Sequence, residues 1–238
     1  MSLELHGHLF SSYTWKALIA LYANGTTFGF REIDMSVPKF ESFTGKAHPS
    51  GQFPVLVDGD AIVVEASSII EHLAVHHPGP APLIPSDPAE AVVARMLDRV
   101  FDHYVMGNQQ RVMAAYFVDR DDPAGGGLRD EPFAPEMAAG KAMLLRAYAW
   151  LERWLADNKL PPHVSIVTCA AAPSLFYADW TQPIPPDCPR LAALRAELLA
   201  LPEVAKPLPS IPACSTWSVS AAGISSPSKI LPNRLCQG

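Results

Sequence analysis

Residues 54–74, PVLVDGDAIVVEASSIIEHLA, restrict the architecture most. Two short apolar runs flank Asp58-Gly59, a pair that favours a tight hairpin turn. Ile69, Ile70 and Leu73 then recur at helical spacing. A hairpin followed at once by an amphipathic helix buries its apolar faces only against further layers. The preceding sequence supplies them. LELHGH reads as a strand, and Trp15, Leu18, Ile19 and Tyr22 mark a helix closed by Asn24-Gly25. TFGFREID reads as a second strand, and residues 35–50 as an irregular connection. The order is strand, helix, strand, loop, hairpin, helix, an α/β unit.

Residues 77–88, HPGPAPLIPSDP, break this pattern with repeated proline. Beyond them the periods are helical. Val93, Leu97, Val100, Phe101, Tyr104 and Val105 form one apolar face. Met137, Gly140, Leu144, Ala147, Leu151, Trp154 and Leu155 form another, and LAALRAELLAL a third. DRDDPAGGGLRDEP reads as a loop, and Trp150, Trp154 and Trp180 as core residues. The expected division is an α/β domain over 1–77, a linker over 78–88, an all-helical domain over 89–205 and an atypical tail over 206–238. The tail has no acidic residue after Glu203 and no helical period, so it is expected to be poorly ordered or loosely packed.

A net charge of −6 argues against nucleic acid as the main partner, because phosphate binding calls for a basic surface. No apolar run approaches a membrane span. MSLELHGHLF lacks the features of a secretory leader, and Cys169, Cys188, Cys214 and Cys236 form no Cys-x-x-Cys pair. A cytoplasmic protein without a bound metal is expected. His76-His77 has no further ligand at metal-site spacing and reads as a solvated helix end.

Pro54 has two readings. A proline opening a strand is harmless because its missing N–H is not needed there. A cis Phe53-Pro54 bond instead turns the Phe53 backbone outward, where its N–H and C=O can pair with an extended peptide. Glu65 also has two. It is a favourable first-turn charge, or it accepts from a ligand ammonium while N–H groups at the helix start hold the ligand's carboxylate. An α-amino acid carries both groups. In FSSYTWKALIAL, Ser11, Ser12, Tyr13 and Thr14 sit between the first strand and the first helix. A hydroxyl there caps the helix, or donates to an anion beside the helix N-terminus.

In this order the motifs resemble the cytosolic glutathione S-transferase family. GQFPVLVDGDAIVVEASSIIEHL is similar to that family's Gly-x-Val-Pro-x-Leu segment and the Glu-Ser helix after it. SSYTWK resembles the Ser-Ser-Cys-x-Trp-Arg motif of its zeta class, and CAAAPSLFYADW a segment of its helical domain. The resemblance spans residues 3–205. It implies a thioredoxin-like N-terminal domain followed by a helical-bundle C-terminal domain, glutathione as co-substrate, a small hydrophobic electrophile as partner, and a homodimer.

Residue by residue, it implies that Ser11 hydrogen-bonds the glutathione sulfur, with Ser12 and Tyr13 as alternatives. Phe53, beside a cis Pro54, would pair with the cysteinyl part. Glu65 and Ala66 would hold the γ-glutamyl end, and Gln52 would reach the glycyl end. Tyr104, Asn108, Arg111 and Tyr116 would border the electrophile, with Arg111 offered to an anionic one.

The departures from the family bear on activity. Tyr13 stands where zeta members have cysteine. Ala66 stands where a serine hydroxyl usually meets the ligand carboxylate, with Ser67 as a possible substitute. Thr168 replaces the acid of a Ser-x-x-Asp capping box that opens at Ser165. Three functions are compatible with this pattern: conjugation of glutathione to an electrophile, glutathione-dependent cis–trans isomerisation, and a non-catalytic binding or scaffold role.

Overall fold

A computed structural model of the chain describes residues 3–117, 129 and 131–207. Most of the 118–131 loop and the tail beyond Lys206-Pro207 lie outside these residues. The described chain forms two packing units, one of residues 3–99, 160–173 and 198–207, the other of residues 100–117, 129, 131–159 and 174–197. These are not the contiguous segments 1–77 and 89–205, since two later helices contribute to the first unit.

In the first unit, β1 (Leu3–Gly7) alternates buried and half-buried residues, as a strand covered on one face should. α1 (Ser12–Ala23) follows, with Ser11 as N-cap, and ends at Asn24 with Gly25 at φ +65°. β2 (Gly29–Glu32) is shorter than its sequence pattern. The connection expected to be irregular contains a short helix, α2 (Phe43–Ala47), capped by the Ser42 side chain on Gly45 N–H. Gly45 is required there, because any Cβ would collide with the Lys39 carbonyl and the Phe40 backbone. β3 (Val55–Asp58) and β4 (Ala61–Val64) form the hairpin. The turn lies one residue later than the sequence implied: Asp58 pairs with Ala61, and Gly59, at φ +58°, opens a Gly59-Asp60 loop. α3 (Ala66–His76) and α4 (Pro88–Arg99) complete the run before the second unit.

The sheet order is β2-β1-β3-β4, with β1 parallel to β2 and antiparallel to β3. This is the thioredoxin-like arrangement that the resemblance implied. Leu5, Trp15, Leu18, Ile19, Leu56, Ile69, Ile70 and Leu73 fill the core. Beside this apolar set lies an ion pair. Lys16 Nζ is 2.6 Å from Asp98 Oδ1, and both side chains are at most 2% exposed. Ser67 Oγ donates to Asp98 Oδ2 at 2.7 Å and accepts from Lys16 Nζ at 2.8 Å. Three helices are thereby joined by one buried polar cluster, whose charges are tolerated because each has partners. Trp15 Nε1 donates to the Val204 carbonyl at 3.0 Å, fixing α1 against the short helix α9 (Pro202–Ala205).

α7 (Ile166–Thr181) belongs to the first unit up to Pro173. At its start Thr168 Oγ1 accepts from Ser165 N–H at 3.2 Å, the half of a capping box that the missing acid would supply. The other half is absent: the buried Ser165 hydroxyl has no hydrogen-bond partner among the described residues.

The second unit begins with a π-helical segment, Val100–Met106, followed by α5 (Gly107–Ala114) and α6 (Ala134–Asp157). The π segment overturns part of the expected apolar face. Val100, Phe101 and Val105 are buried, but Tyr104 is 56% exposed, as is Val93 at 41% on α4. Hydrogen bonding from i to i+5 shifts the helical period, so Val105 and Met106 turn inward and Tyr104 does not. Gly140 lets α6 close on Val112 and the Asn108 carbonyl of α5. The α6 face is otherwise as patterned at Leu144, Ala147 and Leu151. Trp150, Trp154 and Trp180 are not the core residues expected: Trp150 is exposed, Trp154 is half-buried, and Trp180 is a half-buried member of an aromatic group with Phe176 and Tyr177. From α6 the Glu152 carboxylate accepts from the backbone N–H groups of Arg190 and Leu191, at 3.2 and 2.9 Å, capping α8 (Pro189–Leu199).

Candidate functional site

Register brings three candidate segments to one end of the sheet. His6 opposes Val55, so the residues after β1 lie beside those before β3. Val55 opposes Val64, so Glu65 lies at the same end. Ser11, Phe53-Pro54 and Glu65 are therefore grouped, although they are far apart along the chain.

The Phe53-Pro54 bond is cis. β3 lies between β1 and β4, so its own ladder groups are occupied on both sides. A peptide ligand cannot add along β3. Phe53 precedes the first ladder pair at Val55. Pro54 is buried, Phe53 half-buried and Gln52 exposed.

Glu65 has φ +69° and ψ 121°, a region that residues with a side chain rarely occupy and that costs about 1–3 kcal/mol. Its side chain is 70% exposed and leaves the start of α3 without a side-chain cap. The first helical N–H groups thus face the region that Glu65 borders. One partner of Glu65 was not foreseen. Buried His48 lies with Nε2 3.1 Å from Glu65 Oε1. Its Nδ1 accepts from Ser50 N–H at 3.0 Å, so the ring hydrogen is on Nε2 and is donated to Glu65. Nothing in the local sequence signals this, because the ring reaches a residue on another element.

Ser11 Oγ accepts from Thr14 N–H at 3.2 Å as the α1 N-cap. Capping uses an oxygen lone pair and leaves the hydroxyl hydrogen for a second partner, so both sequence readings are compatible at this residue. Ser12 and Tyr13 occupy the first two positions of α1 and are half-buried. The rest of the SSYTWK motif is structural: Trp15 holds Val204 and Lys16 holds Asp98.

Ala66 is buried at the first position of α3 and offers only backbone. Ser67 does not substitute for the missing hydroxyl, because its hydrogen is donated to Asp98 inside the Lys16 cluster. In the second unit, Asn108 Nδ2 donates to the Tyr104 carbonyl at 2.8 Å. The Arg111 guanidinium forms a two-pronged pair with Glu136, which lowers the Glu136 carboxyl below its ordinary value and occupies the charge expected to attract an anion. Tyr116 Oη is directed to Met137 Sδ.

Comparison with known proteins agrees with this fold. Residues 5–81 match the family described as glutathione S-transferase, N-terminal domain. A probable maleylacetoacetate isomerase of Caenorhabditis elegans is 28% identical over 163 residues, covering 66% of this chain and 75% of that protein. Glutathione S-transferase 1 of Dianthus caryophyllus is 34% identical over 88 residues, but this covers only 36% of this chain and 38% of the plant protein. Among solved structures, a glutathione S-transferase of Methylobacterium radiotolerans in complex with glutathione sulfonate superposes with TM-score 0.66 at 25% identity, covering 87% of this chain and 94% of its own.

Proposed function

We propose that the chain, whose residues 5–81 match the glutathione S-transferase N-terminal domain, is a member of that family, binds glutathione beside Pro54 and transfers the thiolate to a small hydrophobic electrophile. The observation that carries this reading is the grouping of Phe53 beside a cis Pro54, a strained Glu65 at a helix start without a side-chain cap and the Ser11 hydroxyl at one end of the sheet.

In this reading the Phe53 N–H and C=O pair with the cysteinyl backbone, and Gln52 meets the glycyl end. Glu65, held by His48, accepts from the γ-glutamyl ammonium. The first N–H groups of α3, beginning at Ala66, hold the carboxylate beside it. Ser11 donates to the sulfur, and the α1 N-terminus favours its negative charge. Lowering a thiol pKa by about two units corresponds to about 2.7 kcal/mol of thiolate stabilisation. The thiolate then attacks the electrophilic carbon. At an aryl halide the halide leaves with its bonding pair; at an enal the adduct takes a proton from water. The protein supplies orientation and charge stabilisation, and glutathione supplies the nucleophile.

A second reading is isomerisation, supported by the nematode relative and by the SSYTWK motif. Here the thiolate adds to a conjugated cis double bond, the intermediate rotates about the resulting single bond, and the thiolate is expelled. Assays at high glutathione with aryl halides, enals and isothiocyanates, set beside a maleylacetone assay, separate the two. Turnover in the first group alone supports conjugation, and turnover of maleylacetone alone supports isomerisation. Glutathione binding without turnover in either leaves a non-catalytic binding role. A homodimer in the cytoplasm is part of the proposal and is tested by sedimentation and cell fractionation.

A further inference from the structure

We propose that Asp58, His72 and His77 form a binding site for a divalent transition-metal ion, with zinc as the preferred occupant. His72 Nε2 lies 2.9 Å and His77 Nε2 2.7 Å from the same oxygen, Asp58 Oδ2. All three ligand atoms are within 4.8 Å of one another. Zinc takes nitrogen and carboxylate oxygen at about 2.0–2.1 Å in a tetrahedron, which sets neighbouring ligand atoms about 3.3–3.4 Å apart. Each nitrogen–oxygen separation must open by roughly half an ångström to reach that spacing, a change within the reach of small side-chain rotations.

The supporting elements are well fixed. Asp58 ends β3 next to the two-residue turn. His72 lies on α3, and His77 is its C-cap, with N–H donated to the Leu73 carbonyl and its own carbonyl accepting from Asn24 Nδ2 at 2.8 Å. The His72 and His76 rings lie with centroids 4.4 Å apart, so His76 flanks the site. Side-chain exposures of 14%, 19% and 30% for His72, Asp58 and His77 place the cluster within reach of solvent, the source of a fourth ligand. On binding, each neutral imidazole moves its hydrogen from Nε2 to Nδ1 through solvent, and the ion takes the two freed lone pairs. Two imidazoles with one carboxylate suit zinc and its neighbours, not magnesium or calcium, which require shells of oxygen.

This inference does not depend on glutathione binding. The test uses chelator-treated full-length protein titrated with zinc against a chromogenic chelator, and with cobalt(II) as a spectroscopic probe. One equivalent is expected, with d–d bands of a four-coordinate site, no thiolate charge-transfer band and a raised melting temperature. Asp58→Asn, His72→Gln and His77→Gln are each expected to weaken binding about a hundredfold, since even partners outside the ligand shell are worth roughly 10–100-fold. Affinity unchanged in Asp58→Asn, or a thiolate band, overturns the proposal. Zinc-induced shifts of the His72 and His77 ring resonances in the unsubstituted protein provide a second measurement that needs no variant, and their absence is equally decisive.

Discussion

His48 donates from Nε2 to the Glu65 carboxylate across 3.1 Å, with its other ring nitrogen tied to Ser50 N–H. This holds an exposed acid at a helix start in one orientation. His48→Ala is expected to weaken glutathione binding about fivefold to tenfold, or ~1–1.4 kcal/mol, less than the roughly 1.5–3 kcal/mol of a hydrogen bond to a charged group, because His48 acts on the ligand only through Glu65. His48→Gln, which keeps an N–H donor, should recover part of the loss. Calorimetry with glutathione measures both.

Ser11 is assigned two tasks that substitution can separate. Ser11→Ala removes the cap and the proposed sulfur donor together. Stability should fall by about 1 kcal/mol, and turnover by one to two orders of magnitude. Ser11→Asp retains a capping oxygen but brings a negative charge to the sulfur. Thermal melts should show its stability restored while the conjugation rate stays low.

Ala66→Ser returns the hydroxyl that Ser67 cannot supply, because Ser67 is held by Asp98 and Lys16. A gained bond to a charged carboxylate is worth roughly 1.5–3 kcal/mol, so glutathione affinity should rise at least about tenfold. An unchanged dissociation constant would place the γ-glutamyl carboxylate elsewhere.

Glu152 gives the second unit a pH dependence with a defined sign. Burial pushes its carboxyl up, but the N–H groups of Leu191 and Arg190 and the Arg190 guanidinium outweigh it, and the result lies below the ordinary glutamate value. A carboxyl lowered on folding contributes stability that is present above its unfolded pKa and lost as pH falls through the folded one. Glu152→Gln should therefore be less stable by about 1–2 kcal/mol near neutrality, the range of a helix cap. The gap should narrow below about pH 4.5, the ordinary range for a glutamate carboxyl. Denaturant melts across that range check the trend.

Much of the first unit was legible because its signals are local. The hairpin, the Asn24-Gly25 stop, the Ser11 cap and the Pro54–Glu65 segment each depend on neighbours within a few residues. The turn was misplaced by one residue because Asp58-Gly59 and Gly59-Asp60 are both acceptable turn pairs. What the sequence concealed depends on long-range placement. The Lys16–Asp98 pair joins residues 82 positions apart. His48 meets Glu65 on another element, and Asp58 meets His72 and His77 across 14 and 19 positions. Of the His76-His77 pair that reads as a solvated helix end, His77 meets Asp58 only on folding. The π segment was hidden for a different reason: an apolar pattern does not state where the hydrogen bonding changes from i+4 to i+5.

The most direct measurement is a calorimetric titration of the unsubstituted chain and of Glu65→Ala with glutathione. Saturable binding of one tripeptide per chain at millimolar concentration or below, weakened at least about tenfold by loss of the carboxylate, is the predicted result. No heat at millimolar glutathione, or equal affinity in the two proteins, contradicts the account.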